Sequence, residues 1–148
     1  MSKPNPLQED CIQTVCDSRT KVEENGRKAV FLNPENAPVK KVRVDGCLIV
    51  DDTRKADFIV SKPGVVDVIV ELKGKDIYHA KDQIVATLSF WKTYPPFSGK
   101  IAGLIICSRS PMSSSDLQVM KAKVKNQHRI ALFVDESGKK EYDFADFS

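Results

Sequence analysis

The run IAGLIIC at residues 101–107 is apolar at almost every position. A strand with one face in water alternates apolar and polar side chains. An unbroken run of this length therefore describes a strand covered on both faces. Just before it, Ile77, Ala80, Ile84, Leu88 and Trp91 recur at steps of three and four. They form the apolar stripe of a helix from about Asp76 to Trp91, which Pro95-Pro96 ends. A helix feeding a doubly covered strand is the crossover of an α/β sheet, and it is expected to be right-handed.

The segment ahead of this crossover reads as an antiparallel meander. Val42 to Val50 is a strand with an irregularity at Gly46, Ala56 to Val60 a second, and the β-branched stretch Val65 to Lys73 a third. Pro63-Gly64 turns the chain between the last two. After the buried strand, Ser113 with Asp116 three residues on resembles a capping box, opening a helix that carries Leu117, Met120 and Val124. Ile130 to Val134 is a further strand.

Near the N-terminus, residues from about Leu7 to Glu24 are predicted as a helix stopped by Asn25-Gly26, followed by a short strand over Ala29 to Leu32 and a loop between Pro34 and Pro38. The tail DESGKKEYDF is expected to form a hairpin around Ser137-Gly138. The prediction is a mixed sheet flanked by helices on both faces, in one domain spanning residues 1–148.

Composition narrows the function classes. With 23 Lys and Arg against 20 Asp and Glu, the net charge of +3 is compatible with a polyanionic partner without requiring one. No stretch approaches the roughly 20 apolar residues of a membrane span, and the N-terminus lacks the layout of a secretory signal. A cytoplasmic location and no membrane partner are the expectations. The four cysteines show no CxxC pair, which argues against a zinc site. Cys47 and Cys107 read as small buried hydrophobes, Cys11 and Cys16 as helix residues, and the thiols as reduced. Lys121, Lys123 and Lys125 read as a solvated helix face, Asp45 as a turn former, and Asp67 as exposed beside its loop.

The chemistry centres on Glu71-Leu72-Lys73. Side chains alternate along a strand, so Glu71 and Lys73 share one face while Leu72 enters the core. Gly74 then lets the chain turn away. A Pro63-Gly64-Val65 loop pairs Lys62 with Val66, and counting back sets Asp57 opposite Glu71. Two opposed carboxylates about 4.5–5.5 Å apart at Cβ repel, and that arrangement calls for a cation. Mg²⁺ or Mn²⁺ takes such oxygen ligands, polarises a phosphodiester and acidifies a water, while a lysine alongside offsets transition-state charge.

Asp57, then Glu71-x-Lys73, on adjacent strands ahead of a helix resembles the PD-(D/E)XK nuclease superfamily over roughly Val42 to Cys107. The resemblance implies a restriction-endonuclease-like core of helix, three strands, helix and strand. It implies Asp57 and Glu71 as metal ligands, Lys73 as the catalytic lysine, and an acid from the first helix, Glu24 or Glu23, with Glu24 chosen. Gln83 matches a glutamine found in some members, with His79 one helical turn before it. Ala56 stands where such proteins often have proline, and Thr87 where the glutamine-bearing subgroup tends to have tyrosine. Lys75 and His79 are the expected nucleic-acid contacts. The implied function is metal-dependent hydrolysis of DNA, with a homodimer as a route to cutting both strands. The alternative is an inactive nucleic-acid-binding or protein-interaction subunit of the same fold.

Overall fold

The computed structural model describes residues 10–24, 26–72, 76–93, 99–107, 112–137 and 139–148. A six-stranded mixed sheet runs in the order β1 (Ile12–Val15), β4 (Val39–Arg43), β5 (Phe58–Lys62), β6 (Val66–Glu71), β7 (Ile101–Ile106) and β8 (Ala131–Asp135). A second sheet of three strands holds β2 (Arg19–Glu24), β3 (Arg27–Leu32) and β9 (Glu141–Asp143). Helix α1 (Ile77–Trp91) and helix α2 (Ser114–His128) connect β6 to β7 and β7 to β8. The chain is mixed α/β, and the β4–β5–β6 meander leading through α1 into a buried β7 is the succession the sequence predicts.

The β5–β6 hairpin keeps the predicted register, from Lys62 opposite Val66 to Phe58 opposite Val70. Asp76 caps α1 by accepting the His79 N–H at 3.0 Å, and Ser113 caps α2 by accepting the Asp116 N–H at 3.1 Å. Strands β6, β7 and β8 are parallel neighbours in that order. Gly103 on β7 lets α1 approach closely: a Cβ there would stand 2.9 Å from Ile84 Cγ2 and 3.0 Å from Leu132 Cδ1.

Four expectations need correction. The helix predicted over Leu7 to Glu24 is replaced, from Ile12 on, by β1 and β2 (residues 7–9 lie outside the described residues). Thr20 and Val22 are buried while Arg19, Lys21 and Glu23 are exposed, the period of two that marks a strand. Glu24 pairs with Arg27, so β2 passes into β3 as a hairpin and no helix ends here.

Second, the helices do not flank the sheet on both sides. Both pack into one core with Ile59, Ile69, Ile105 and Leu132, because two crossovers of one hand advancing the same way fall on the same side. The other face is covered by the small sheet, with Val60, Val68, Val70 and Leu104 against Phe31, Tyr142 and Phe144. Third, the tail does not fold back on β8: β9 joins β3 in parallel, Val30 opposite Glu141, and a 3-10 helix at Phe144–Phe147 follows, with Phe144 stacked on Phe31 at 5.3 Å between ring centroids.

Fourth, Cys47 is not a small buried thiol and Cys11 not a reduced helix thiol: the two form a disulfide with Cα atoms 5.7 Å apart. It ties the start of β1 to the loop after β4. Cys16 is exposed and Cys107 is buried, both free. No helix among the described residues is long and apolar enough to cross a membrane.

Candidate metal centre

At the open end of the β5–β6 hairpin the chain enters β5 through Lys55-Ala56-Asp57, and four hydrogen bonds fix this entry. The Ala56 N–H donates to Thr87 Oγ1 on α1 at 2.7 Å, and the Gln83 amide donates to the Lys55 carbonyl at 3.2 Å. The Asp57 N–H donates to the Val70 carbonyl at 3.2 Å, and the Asp57 carbonyl accepts from the Val44 N–H at 3.0 Å. Asp57 Oδ2 then accepts the Leu72 N–H at 2.9 Å, taking a ladder position that a main-chain carbonyl would otherwise fill. Asp57 is buried and stands level with Glu71 without continuing the regular ladder, which ends at Phe58 opposite Val70.

Two further carboxylates reach the same place from other strands. Glu24 ends β2, where the hairpin reverses across positions 25 and 26 with Gly26 at φ +78°. Asp45 lies in the loop after β4, where Gly46 takes φ +77° and Leu48 and Ile49 are buried as anchors. Asp45 is thus the turn residue the sequence suggests and an acid of the site as well, and its N–H approaches the Asp57 carbonyl at 3.4 Å. Carboxylate oxygens of Glu24, Asp45 and Asp57 all lie within 4.8 Å of one another.

The electrostatics follow from this crowding. Burial, a side-chain hydrogen bond with Asp57, and the charges of Asp57 and Asp45 push the Glu24 carboxyl above the ordinary glutamate value, while Arg43 pulls the other way. The Arg43 guanidinium is 3.7 Å from Glu24 Oε1. Arg27, opposite Glu24 in the hairpin, donates to the Leu72 carbonyl at 3.2 Å. Three carboxylates with one oxygen each on offer make a hard, all-oxygen donor set, suited to Mg²⁺ or Mn²⁺ and unsuited to soft metals.

The predicted residues divide as follows. Asp57 and Glu24 meet. Glu71 is fully buried at the end of β6 on the helix-facing side, with Ile69, and does not join the group within 4.8 Å. Gln83 is buried and acts on the Asp57 segment through Lys55; its Oε1 has no hydrogen-bond partner among the described residues. His79, one turn before Gln83 on α1, is exposed where Gln83 is buried. Lys73 and Lys75 lie outside the described residues.

Asp67, expected at the surface, is fully buried: Ser61 Oγ donates to its Oδ1 at 2.5 Å and Trp91 Nε1 to its Oδ2 at 2.9 Å. Sequence reasoning missed Thr87 and the two arginines as neighbours of the site. The signal for Arg27 was present in the Asn25-Gly26 hairpin pair, which sets it opposite Glu24. Comparison with protein-family models, curated proteins and solved structures finds no match for this chain.

Proposed function

We propose that the chain is a divalent-metal-dependent nuclease of the restriction-endonuclease-like type, hydrolysing phosphodiester bonds of DNA. One observation carries the reading: carboxylates from three separate chain segments, Glu24, Asp45 and Asp57, converge within 4.8 Å beside the end of β6, which closes on Glu71. Nothing in packing alone asks three acids to crowd, and the raised Glu24 carboxyl marks the cost of doing so. The β4–β5–β6–α1–β7 succession also supports it, although a helix does not lead into that meander.

In this reading Asp57, Asp45 and Glu24 hold Mg²⁺ or Mn²⁺. Such an ion supplies Lewis acidity toward a phosphodiester oxygen and lowers the pKa of water. Leu72 N–H holds the Asp57 carboxylate while Thr87 and Gln83 hold Ala56 and Lys55 before it, so its oxygen is placed before any ligand arrives. Lys73 assists the attacking water, and a second copy related by a twofold axis addresses the other strand of a duplex.

The test is incubation with single-stranded DNA, duplex DNA and RNA in Mg²⁺, Mn²⁺ or EDTA, beside an Asp57→Asn, Lys73→Ala double variant. Cleavage that needs metal and disappears in the folded variant supports the reading. Absence of cleavage with every metal and substrate removes the enzyme, leaving a binding subunit of the same fold.

A further inference from the structure

The acidic cluster poses a problem for the substrate just proposed. A polyanion must approach a place where Glu24, Asp45 and Asp57 already repel one another, so cations have to meet it at the rim. Two are built in. Arg27 opens β3 directly across the hairpin from Glu24, and Arg43 closes β4 with its guanidinium 3.7 Å from Glu24 Oε1. They come from different sheets, Arg27 from the small one and Arg43 from the large one.

Neither arginine is used up by the fold. The Arg43 contact lies beyond hydrogen-bond distance and its side chain is 58% exposed, so the attraction is coulombic and its donors remain available. Arg27 is exposed and places one donor on the Leu72 carbonyl. A guanidinium has five N–H donors in a planar fork that matches two phosphate oxygens, and it stays charged at any working pH. An arginine needed only to neutralise Glu24 would be expected to close a bidentate pair, which Arg43 does not do.

We propose that Arg27 and Arg43 bind successive phosphates of a nucleic acid backbone laid across the Glu24–Asp45–Asp57 cluster. The proposal rests on the nuclease reading and deepens it: these contacts position the strand and carry no sequence information, so recognition through them is of backbone, shared by DNA and RNA. Arg43 also leaves Glu24 when a divalent ion takes its place there, which frees its whole fork for phosphate. The two arginines are positioning residues, not catalytic ones.

The experiment measures binding of a labelled DNA duplex and an RNA duplex of equal length as salt is raised, with Ca²⁺ replacing Mg²⁺. Each of Arg27→Gln and Arg43→Gln is expected to flatten the slope of log affinity against log salt by about 1, and the pair by about 2, for both nucleic acids. Lys123→Gln, on α2, leaves the slope unchanged. Calorimetry with Mn²⁺ alone separates metal binding from phosphate binding. The arginine pair is expected to bind Mn²⁺ at least as tightly as wild type, since a competing cation is gone.

If Mn²⁺ binds but the slopes do not change, the arginines merely neutralise acids and the proposal is overturned while the metal centre stands. If wild type binds no Mn²⁺, the nuclease reading itself fails and takes the proposal with it. Flattening on RNA but not DNA, or the reverse, overturns the claim of backbone recognition. Should the glutamine pair melt early, the Arg27→Lys, Arg43→Lys pair replaces it. That pair is expected to keep the slope and lose affinity several-fold, and wild-type affinity in it would overturn the bidentate role.

Discussion

The β5–β6 hairpin carries a buried aspartate near each end, Asp67 at the turn and Asp57 at the open end. Asp67 has a donor for each oxygen, Ser61 for one and Trp91 for the other. Those donors come from β5 and α1, so the charge joins the sheet to the helix and serves the fold. Asp57 has a donor from Leu72, but its other neighbours are Glu24 and Asp45, which want the same protons and cations that it wants. A fold that can satisfy one buried carboxylate so fully leaves three crowded together at the other end of the same hairpin. The difference separates a charge kept for structure from charges kept for a ligand.

The largest effect expected is on activity. Asp57→Asn keeps shape and the Leu72 contact but removes one ligand charge. Metal-dependent cleavage should fall by about 10³-fold, roughly 4 kcal/mol of transition-state stabilisation, with melting temperature unchanged or raised. A variant that loses activity by unfolding would break the contrast.

Asp67→Ala should do the opposite. Trp91 Nε1 and Ser61 Oγ lose their acceptor in a sealed core, at a cost of about 3 kcal/mol in urea unfolding. Mn²⁺ affinity per folded molecule should stay within a factor of about 3. A large loss of metal binding there would erase the distinction between the two ends.

Thr87→Val tests whether the open end is held from the helix. The Ala56 N–H loses its acceptor, for about 1–2 kcal/mol of stability, and Mn²⁺ affinity should drop by about 10-fold as Asp57 loosens. Stability loss without loss of affinity would confine Thr87 to structure.

The smallest effect is a pH dependence. Glu24 has its folded pKa raised above the ordinary 4.5, with burial the largest cause. Below 4.5 it is protonated in both states and costs nothing. As pH rises past that value toward the raised one, the unfolded chain ionises first, and metal-free protein loses stability. Glu24→Gln removes this loss, so in EDTA the variant should be more stable than wild type at pH 7 by about 0.5 kcal/mol and equal to it near pH 4. A variant less stable at pH 7 would mean Arg43 already satisfies the charge.

The contrast also bears on what the sequence could reveal. From Ala56 to Val134 the elements were legible, since Pro63-Gly64 fixes the hairpin register and α1 shows its stripe at three- and four-residue steps. That Asp57 stands level with Glu71 was legible for the same local reason. Asp67 was not, because what buries it is Trp91, 24 residues on, and no periodicity announces a hydrogen bond.

The N-terminal strands were misread because Thr20 and Val22 form too short an alternation to outweigh helix-tolerant neighbours, and Asn-Gly serves both as a helix stop and as a hairpin turn. The pairing of β9 with β3 spans more than a hundred residues, and nothing local encodes it. Glu24 was chosen as a helix residue and stands in the acidic cluster as a strand residue, so its support was misread.

Calorimetric titration of metal-free protein with Mn²⁺ at pH 7.5, wild type beside Asp57→Asn, addresses the central claim directly. The predicted result is one saturable site in wild type and at least a tenfold weaker site in the variant. No binding by folded wild type at millimolar Mn²⁺ would contradict it, and the three carboxylates would then be a cluster that Arg43 alone suffices to hold.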